Sequence, residues 1–592
     1  PGPADGRDDS PFTRTASFHV NGLHLVDDIG SDGSNVGLNP SSLAAPGETR
    51  TYRYVCDREG GFFAYSVAAL AGGEGDGGST VQGLFGAVTV QPRGAKWYRS
   101  QVTQEQLARA TKGRNPDGTP IIDYDAVDES GTPILRMLDD RREIVHSDLS
   151  ALIAGYDSTE FDTTISPDRG SYREIVLLFH DELKAVQAFP ELEEDPTLVT
   201  VGDHNGINYG ASGMGAILLA NRARVGPSAA CIECAYEEFF LTSWANGDPA
   251  LNVEVDGMGR AVRALYPDDP SNVWHSYLGD PVRIRNMHAG AETHVFHLHA
   301  HQWLQSPASD NDAYVDSQSI SPGSSFTYDI NFDGGGNRNL TPGDAIFHCH
   351  LYPHFATGMW GLWRVHDVFE AGTPDRNLPD GEIADGTPTP AVVPLPNRGM
   401  PPMPTYAETI VVSKNGRRMV RPPMPGYPHY IAALAGHRPP QPPLDMAHDG
   451  GLPRHVVTSV EDALLGDRGD FDVQLERANL KLLPQEGTPP EQAAMDFHAG
   501  LFPGAKRITT DFDFPAAAYV AFTPKGRKST FVVNGQPPRP GAPYANPCPP
   551  TAPERRIRLA YLQVDLVTNN AGWHDEQARI MVHEEDVEAT ID

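Results

Sequence analysis

The sequence predicts an all-β protein, a series of tandem β-sandwiches joined by long irregular insertions and linkers. Three observations carry that expectation. Glycine (58 residues) and proline (53) are both frequent, as turns rather than helices require. Long amphipathic helical patterns are few. The apolar segments are short, aromatic or β-branched, and separated by Gly, Pro and Asp. At 592 residues the chain has room for about four domains with substantial cores. It holds no apolar run long enough to span a bilayer. A formal net charge of −32 repels nucleic acid and anionic membrane and attracts cations, small reducing metal ions included, although solubility alone accounts for it equally well.

Residues 1–95 read as a first sandwich, with strands over 18–25, 51–55, 61–67 and 83–90. The glycine run 72–78 is a flexible loop: it lacks the Lys and following helix of a phosphate cradle, and its acids repel phosphate. Residues 96–170 mix polar and charged side chains with two candidate short helices, 104–112 and 141–153, and read as a connection on the surface. A second sandwich, 171–370, opens on the buried-strand run 173–180. It continues through 236–244 and 280–285 and closes at 362–365. Acidic residues in the insertion after its first strand (Asp181, Glu182, Glu237, Glu238) could bind a cationic substrate, although solvated or capping carboxylates are far commoner. Residues 371–405 form a Pro/Gly-rich linker. Strand-like runs at 517–522, 529–533 and 557–564 mark part of a further β-domain in 406–592, where His574 and His583 stand apart and default to structural roles.

The five cysteines divide into one and four. Cys231 and Cys234 form a C-x-x-C that fits a redox pair, a disulfide or half a zinc site; with no second such pair, a disulfide of an exported protein is favoured. Cys56 and Cys548 complete the even set. Cys349 lies in different company, within Phe347-His-Cys-His-Leu-Tyr-Pro-His-Phe-Ala-Thr-Gly-Met359. On a strand, alternation puts Cys349 on one face and His348 and His350 on the other, and the loop that follows returns His354 and Met359 to the sulfur side. Upstream, in His294-Val-Phe-His-Leu-His299, the parity repeats: His297 and His299 share a face and His294 lies on the opposite one. His294, Cys349, His354 and Met359 are therefore candidate ligands of a mononuclear (type 1) copper with a weak axial thioether. His297, His299, His348 and His350 are candidate ligands of a second cluster. Structural zinc favours closed tetrahedral sites and has no use for a methionine ten residues after the cysteine. His301 shares the parity of His297 but reads as a satisfied core residue.

These two motifs, H-x-x-H-x-H and H-C-H-x3-H-x4-M, resemble the last copper-binding domain of the multicopper oxidases. The resemblance covers 172–368 tightly and 15–95 loosely, and implies tandem cupredoxin-like Greek-key β-sandwiches. It also implies a type 1 copper that accepts single electrons from a reducing substrate (a phenol, or a metal ion such as Mn(II) or Fe(II)). The electrons then pass through Cys349 and His348 or His350 to a trinuclear copper cluster that reduces O2 to water. In that family the first domain brings two further His-x-His pairs. This chain has His19-Val-Asn21 and Tyr65-Ser-Val67 instead, so 1–95 is expected to be a cupredoxin-like scaffold without copper, and His19 a structural residue. The remainder is similar to large, many-domain bacterial multicopper oxidases, some associated with manganese oxidation. On that resemblance the chain is expected to be one piece of such an enzyme. The missing histidines would come from further domains or a companion chain, at an extracellular, periplasmic or cell-surface location. Two alternatives stay open: a type 1 electron-transfer protein with an incomplete cluster, and a surface-structural protein with a vestigial site.

Overall fold

The computed structural model describes residues 15–33, 38–68, 80, 83–156, 170–181, 273–306, 312–330, 334–337, 341–351, 354–355, 359–372, 390–405, 426–427 and 556–591 with few breaks, together with short strand pairs within 253–264, 409–421 and 455–482. Expected strands at 236–244, 517–522 and 529–533, and Glu182, Cys231, Cys234, Glu237, Glu238 and Cys548, lie outside the described residues. Strands dominate, and the all-β class holds. No helix among the described residues is long and apolar enough to cross a membrane.

The first strands are β1 (His19–Val20), β2 (Gly60–Tyr65) and β3 (Phe85–Val90), which form a three-stranded antiparallel sheet. Next come β4 (Lys96–Arg99), β5 (Ser150–Ala154), β6 (Ser171–Phe179), β7 (Trp274–Tyr277), β8 (Val282–His288), β9 (His294–Leu298), β10 (Ser317–Ile320), β11 (Ser325–Asp329), β12 (Gly343–Cys349) and β13 (Trp360–His366). These make two five-stranded sheets, ordered β11-β8-β6-β5-β4 and β7-β13-β12-β9-β10. Consecutive strands cross repeatedly from one sheet to the other. Each sheet has one parallel pair, β6 with β8 and β7 with β13.

Period-two alternation explains the layers. Odd-numbered residues of β6 (Ile175, Leu177, Phe179) and even ones of β8 (Val282, Ile284) meet Phe296, Leu298, Phe347, Cys349, Trp363 and Val365 of the other sheet in one core. The opposite face of β6 and β8 presents Val176 and Met287 to Phe63, so the three-stranded sheet forms a third layer. Charges are buried in that second interface. Arg283 pairs with Asp329 and Glu59, and Arg285 donates to Glu174 at 2.9 Å and to Thr327. Unpaired, either guanidinium would be prohibitively costly there.

Two expectations for 96–170 need correction. The helix α1 (Gln104–Arg109) forms, held by a Thr103/Gln106 capping box, but stops short of Lys112. The helix expected over 141–153 does not form. Residues 150–154 are β5, buried throughout and hydrogen-bonded on both sides, to β6 and β4. Burial between two strands outweighs the helical propensity of Ser-Ala-Leu-Ile-Ala. The segment therefore feeds two strands into a sheet rather than resting on the surface. Within the expected linker, Ala391 and Val392 are buried and pair with Val102 and Gln101.

Candidate metal centre

Strands β9 and β12 lie side by side and antiparallel, with Phe296 opposite Cys349 and His297 opposite His348. That register and the strand pleat sort the donors onto two faces. His294 and Cys349 point into the core and are 0% exposed. His297, His299, His348 and His350 lie toward the outer face, half-buried or exposed. His301 does not join them although its parity matches. Strand β9 ends at Leu298, and Ala300 takes a left-handed φ of 62°. The turn sends the His301 ring into the core against Trp363, centroids 4.0 Å apart, where it bonds the His299 carbonyl and the Gly336 amide. Its structural reading holds.

The inner group is tight. His294 Nδ1 and His354 Nδ1 are 2.9 Å apart, and Cys349 Sγ lies 3.7 Å and 3.6 Å from them. Metal bonds of about 2.0 Å to nitrogen and 2.3 Å to sulfur put neighbouring donors roughly 3–4 Å apart, so the three atoms fit one ion. Met359 is fully buried in the same core. Its amide donates to the His354 carbonyl and its carbonyl accepts from the Cys349 amide, which closes the loop and brings the thioether residue back beside the thiol. Burial pushes the Cys349 thiol up, yet His294 and His354 outweigh it and hold the group at about 6. Thiolate is thus the form the pocket favours. Burial likewise opposes charge on His294, but Asp181 and the Cys349 sulfur hold it up at about 9.

Both imidazoles are tethered from behind. His294 Nε2 lies 2.7 Å from Asp181 Oδ2, and His354 Nε2 lies 2.7 Å from Glu292 Oε2. Asp181, from sequence a solvated or capping carboxylate or a substrate group, is 1% exposed; it caps the Ala291 and Glu292 amides and also faces the site. Sequence reasoning missed this role because the residue stands 113 positions before its partner. Glu292 was missed as well; its one sequence signal was its position two residues before His294.

On the outer face, one ring nitrogen each of His297, His299 and His348 lies within 4.8 Å of the others. His348 Nδ1 donates to the Cys349 carbonyl at 2.7 Å, and His297 Nδ1 lies 3.0 Å from the Asp316 carbonyl. That leaves the Nε2 lone pairs of both rings for a ligand. His299 Nε2 is 3.1 Å from His348 Nε2. Burial holds His348 down at about 4 and lowers His299 too, which keeps these imidazoles neutral and able to ligate. His350 is beside the group, its ring centroid 5.2 Å from that of His297, without converging on the same point.

The remaining sequence candidates are apart from both groups. His19, on β1, bonds Asp32 and Asn21. His574 and His583 lie on a C-terminal hairpin, where His574 bonds Asp565. Cys56 is a free, exposed thiol.

No protein-family model matches the chain. A stretch of 98 residues is 31% identical to a probable nitrite reductase–hydroxylamine oxidoreductase fusion protein of Kuenenia stuttgartiensis. It covers 17% of this chain and 11% of that protein, so the match spans about a tenth of the relative's length. Among solved structures, a blue copper oxidase from Nitrosomonas europaea is 14% identical, covering 60% of this chain and 70% of its own, with a TM-score of 0.27. A multicopper oxidase is 12% identical over 59% and 70%, with a TM-score of 0.24. A copper nitrite reductase, also from Nitrosomonas europaea, is 14% identical over 59% and 74%, with a TM-score of 0.25. Likeness at that level carries no functional argument; the chain's own side chains must supply it.

Proposed function

We propose that this chain is the copper-bearing part of an oxidoreductase. His294, Cys349, His354 and Met359 hold a type 1 copper, and His297, His299, His348 and His350 contribute to a second copper centre. The observation that supports this most is the sorting of donors by two paired strands: a thiolate with two imidazoles and a buried thioether residue on one face, imidazoles alone on the other. Thiolate, imidazole and thioether together are the soft donor set of one-electron copper sites. Bound there, copper would supply one-electron redox chemistry at the inner pocket and reduction of an acceptor at the outer one.

The chain's own groups perform the rest. Cys349 and His348 are adjacent residues, and the His348 Nδ1–H···O=C bond to Cys349 closes the same path, so the two pockets are joined by covalent and hydrogen-bonded links. Phe296, Phe347 and Trp363 keep water from the inner pocket. His354 is its surface-facing imidazole, with 13% of the side chain exposed, and Glu292, 38% exposed, accepts from its Nε2–H. That carboxylate can take the proton of a phenol or draw in a reducing cation such as Mn(II) or Fe(II). O2 is the proposed acceptor: four electrons and four protons reduce it to two waters. The remaining imidazoles of a trinuclear cluster would come from further domains or a companion chain, outside the cytoplasm.

A second reading is favoured by the convergence, among the described residues, of three outer imidazoles, His297, His299 and His348, which suits a single copper. Nitrite is then the acceptor, in keeping with the name of the Kuenenia stuttgartiensis protein. Copper analysis of the purified chain, with and without any companion, decides between these readings. Oxygen uptake driven by a phenol or Mn(II), with about four coppers per assembly, supports the oxidase; nitrite consumption with about two supports the alternative. Cys349→Ser should abolish the intense visible thiolate-to-Cu(II) band, and His348→Ala should spare that band while removing outer copper. Copper content unchanged in Cys349→Ser would sink both readings.

A further inference from the structure

We infer that Asp181 is a positioning residue: its carboxylate fixes which nitrogen of His294 faces the inner metal and sets how strongly that imidazole donates. The inference rests on the copper reading above and adds a residue that lies outside the ligand set.

Asp181 follows β6, and the parallel pairing of β6 with β8, Phe179 opposite His288, carries it to the turn between β8 and β9. Three N–H groups converge on its two oxygens. Oδ1 accepts from the Ala291 amide at 2.7 Å, and Oδ2 accepts from the Glu292 amide at 2.9 Å and from His294 Nε2 at 2.7 Å. Because Asp181 holds a proton on Nε2, Nδ1, 3.7 Å from Cys349 Sγ, is the nitrogen that gives up its proton when a metal binds. A buried carboxylate behind a ligating imidazole also raises its basicity.

The surroundings serve the same orientation. A Cβ on Gly290 would land on the Asp181 carboxylate, so glycine there keeps the carboxylate's seat open. His288, 0% exposed, accepts from the Gly290 amide at Nδ1 and stacks on the His294 ring with centroids 4.7 Å apart and planes at 17°. One carboxylate thus pins both the turn and the ring it delivers.

An amide cannot substitute. With three donors facing two oxygens, any rotamer of the asparagine in Asp181→Asn turns its NH2 toward at least one N–H. Facing His294, the NH2 would force the proton onto Nδ1, against the metal. The test compares wild type, Asp181→Asn and Gly290→Ala, each loaded with copper alone. Its readouts are Cu(II) and Cu(I) affinity by competition, the visible band and the reduction potential. Asp181→Asn should weaken Cu(II) about 10–100-fold. Cu(I) should weaken less, because the lost negative charge bears more on the doubly charged ion. Each tenfold disproportion raises the potential by ~59 mV. Gly290→Ala, which displaces the carboxylate without removing it, should shift band and potential in the same direction.

An Asp181→Asn protein with wild-type band, affinities and potential overturns the inference. Should that variant fail to fold, long-range nitrogen NMR of Cu(I)-loaded wild type decides: a proton on His294 Nε2 supports the assignment, and its absence overturns it. A wild type without the visible band refutes the copper reading, and this inference with it.

Discussion

Gly361→Ala tests how rigidly the core holds the thiolate strand. Gly361 of β13 lies opposite Phe347 of β12, two residues before Cys349 on the same face. A Cβ at 361 would lie 3.0 Å from both Cε atoms of the Phe347 ring and closer still to its tip. Carbon pairs settle at about 3.5–4.0 Å, so the ring tip must withdraw by more than about 1 Å. It has little room: its face stacks on Trp274 at 3.7 Å with planes at 11°, and it is 0% exposed. Overpacking of this kind costs about 1–3 kcal/mol. The displaced strand should also loosen Cys349 against His294 and His354.

Two readouts check this: the guanidinium unfolding midpoint, followed by tryptophan fluorescence, and Cu(II) affinity by competition. Both should fall. Gly86→Ala is the control, because a Cβ there meets nothing within 4 Å. In a strand interior that change should be neutral or stabilising by about 0.5–1 kcal/mol. Adding Phe347→Leu should return part of the loss in the Gly361→Ala background, the signature of a coupled pair. A Gly361→Ala protein with wild-type midpoint and copper affinity would refute the argument that this contact is closed.

Two further substitutions probe buried charge. Arg285→Met removes a fully buried guanidinium from Glu174, Glu59 and Thr327, leaving Glu174 short of its cation; a loss of about 3–5 kcal/mol is expected, read as early melting of the interface that carries β1–β3. Asp367 is buried with Oδ2 unpartnered among the described residues, and burial raises its pKa to about 6. The folded state therefore binds the extra proton between about pH 4 and 6, stability falls as pH rises through that window, and the penalty is complete above it. Asp367→Asn should stabilise at pH 7.5 by up to about 3 kcal/mol and not at all near pH 3.5, so equal effects at both pH values would contradict the assignment.

What the sequence made legible was whatever depends on strand parity. Cys349 against His348, and His294 against His297, separate because a pleated strand alternates faces, and the structure sorts them accordingly. Parity holds only while the strand lasts. His301 breaks the pattern because Ala300 turns left-handed, a backbone event that an alanine does nothing to announce. The Ser150–Ala154 run shows a second limit: five small or aliphatic residues suit a helix as well as a strand, and only the two neighbours β4 and β6 decide.

Asp181 marks the deepest limit. Local pattern predicts which residues share a face, but a parallel pair is assembled from segments far apart in sequence, and its register has no local signature. Strand β6 reads from sequence as a buried run; that its end meets the turn before His294 follows only from its pairing with β8. The donors that define the pocket are thus encoded locally, in two short motifs. The carboxylates that orient them are delivered by tertiary register, in Asp181, or by the turn itself, in Glu292. A motif transplanted without β6 should therefore keep its donor spacing yet lose the buried carboxylate, leaving His294 free to rotate and to present either nitrogen.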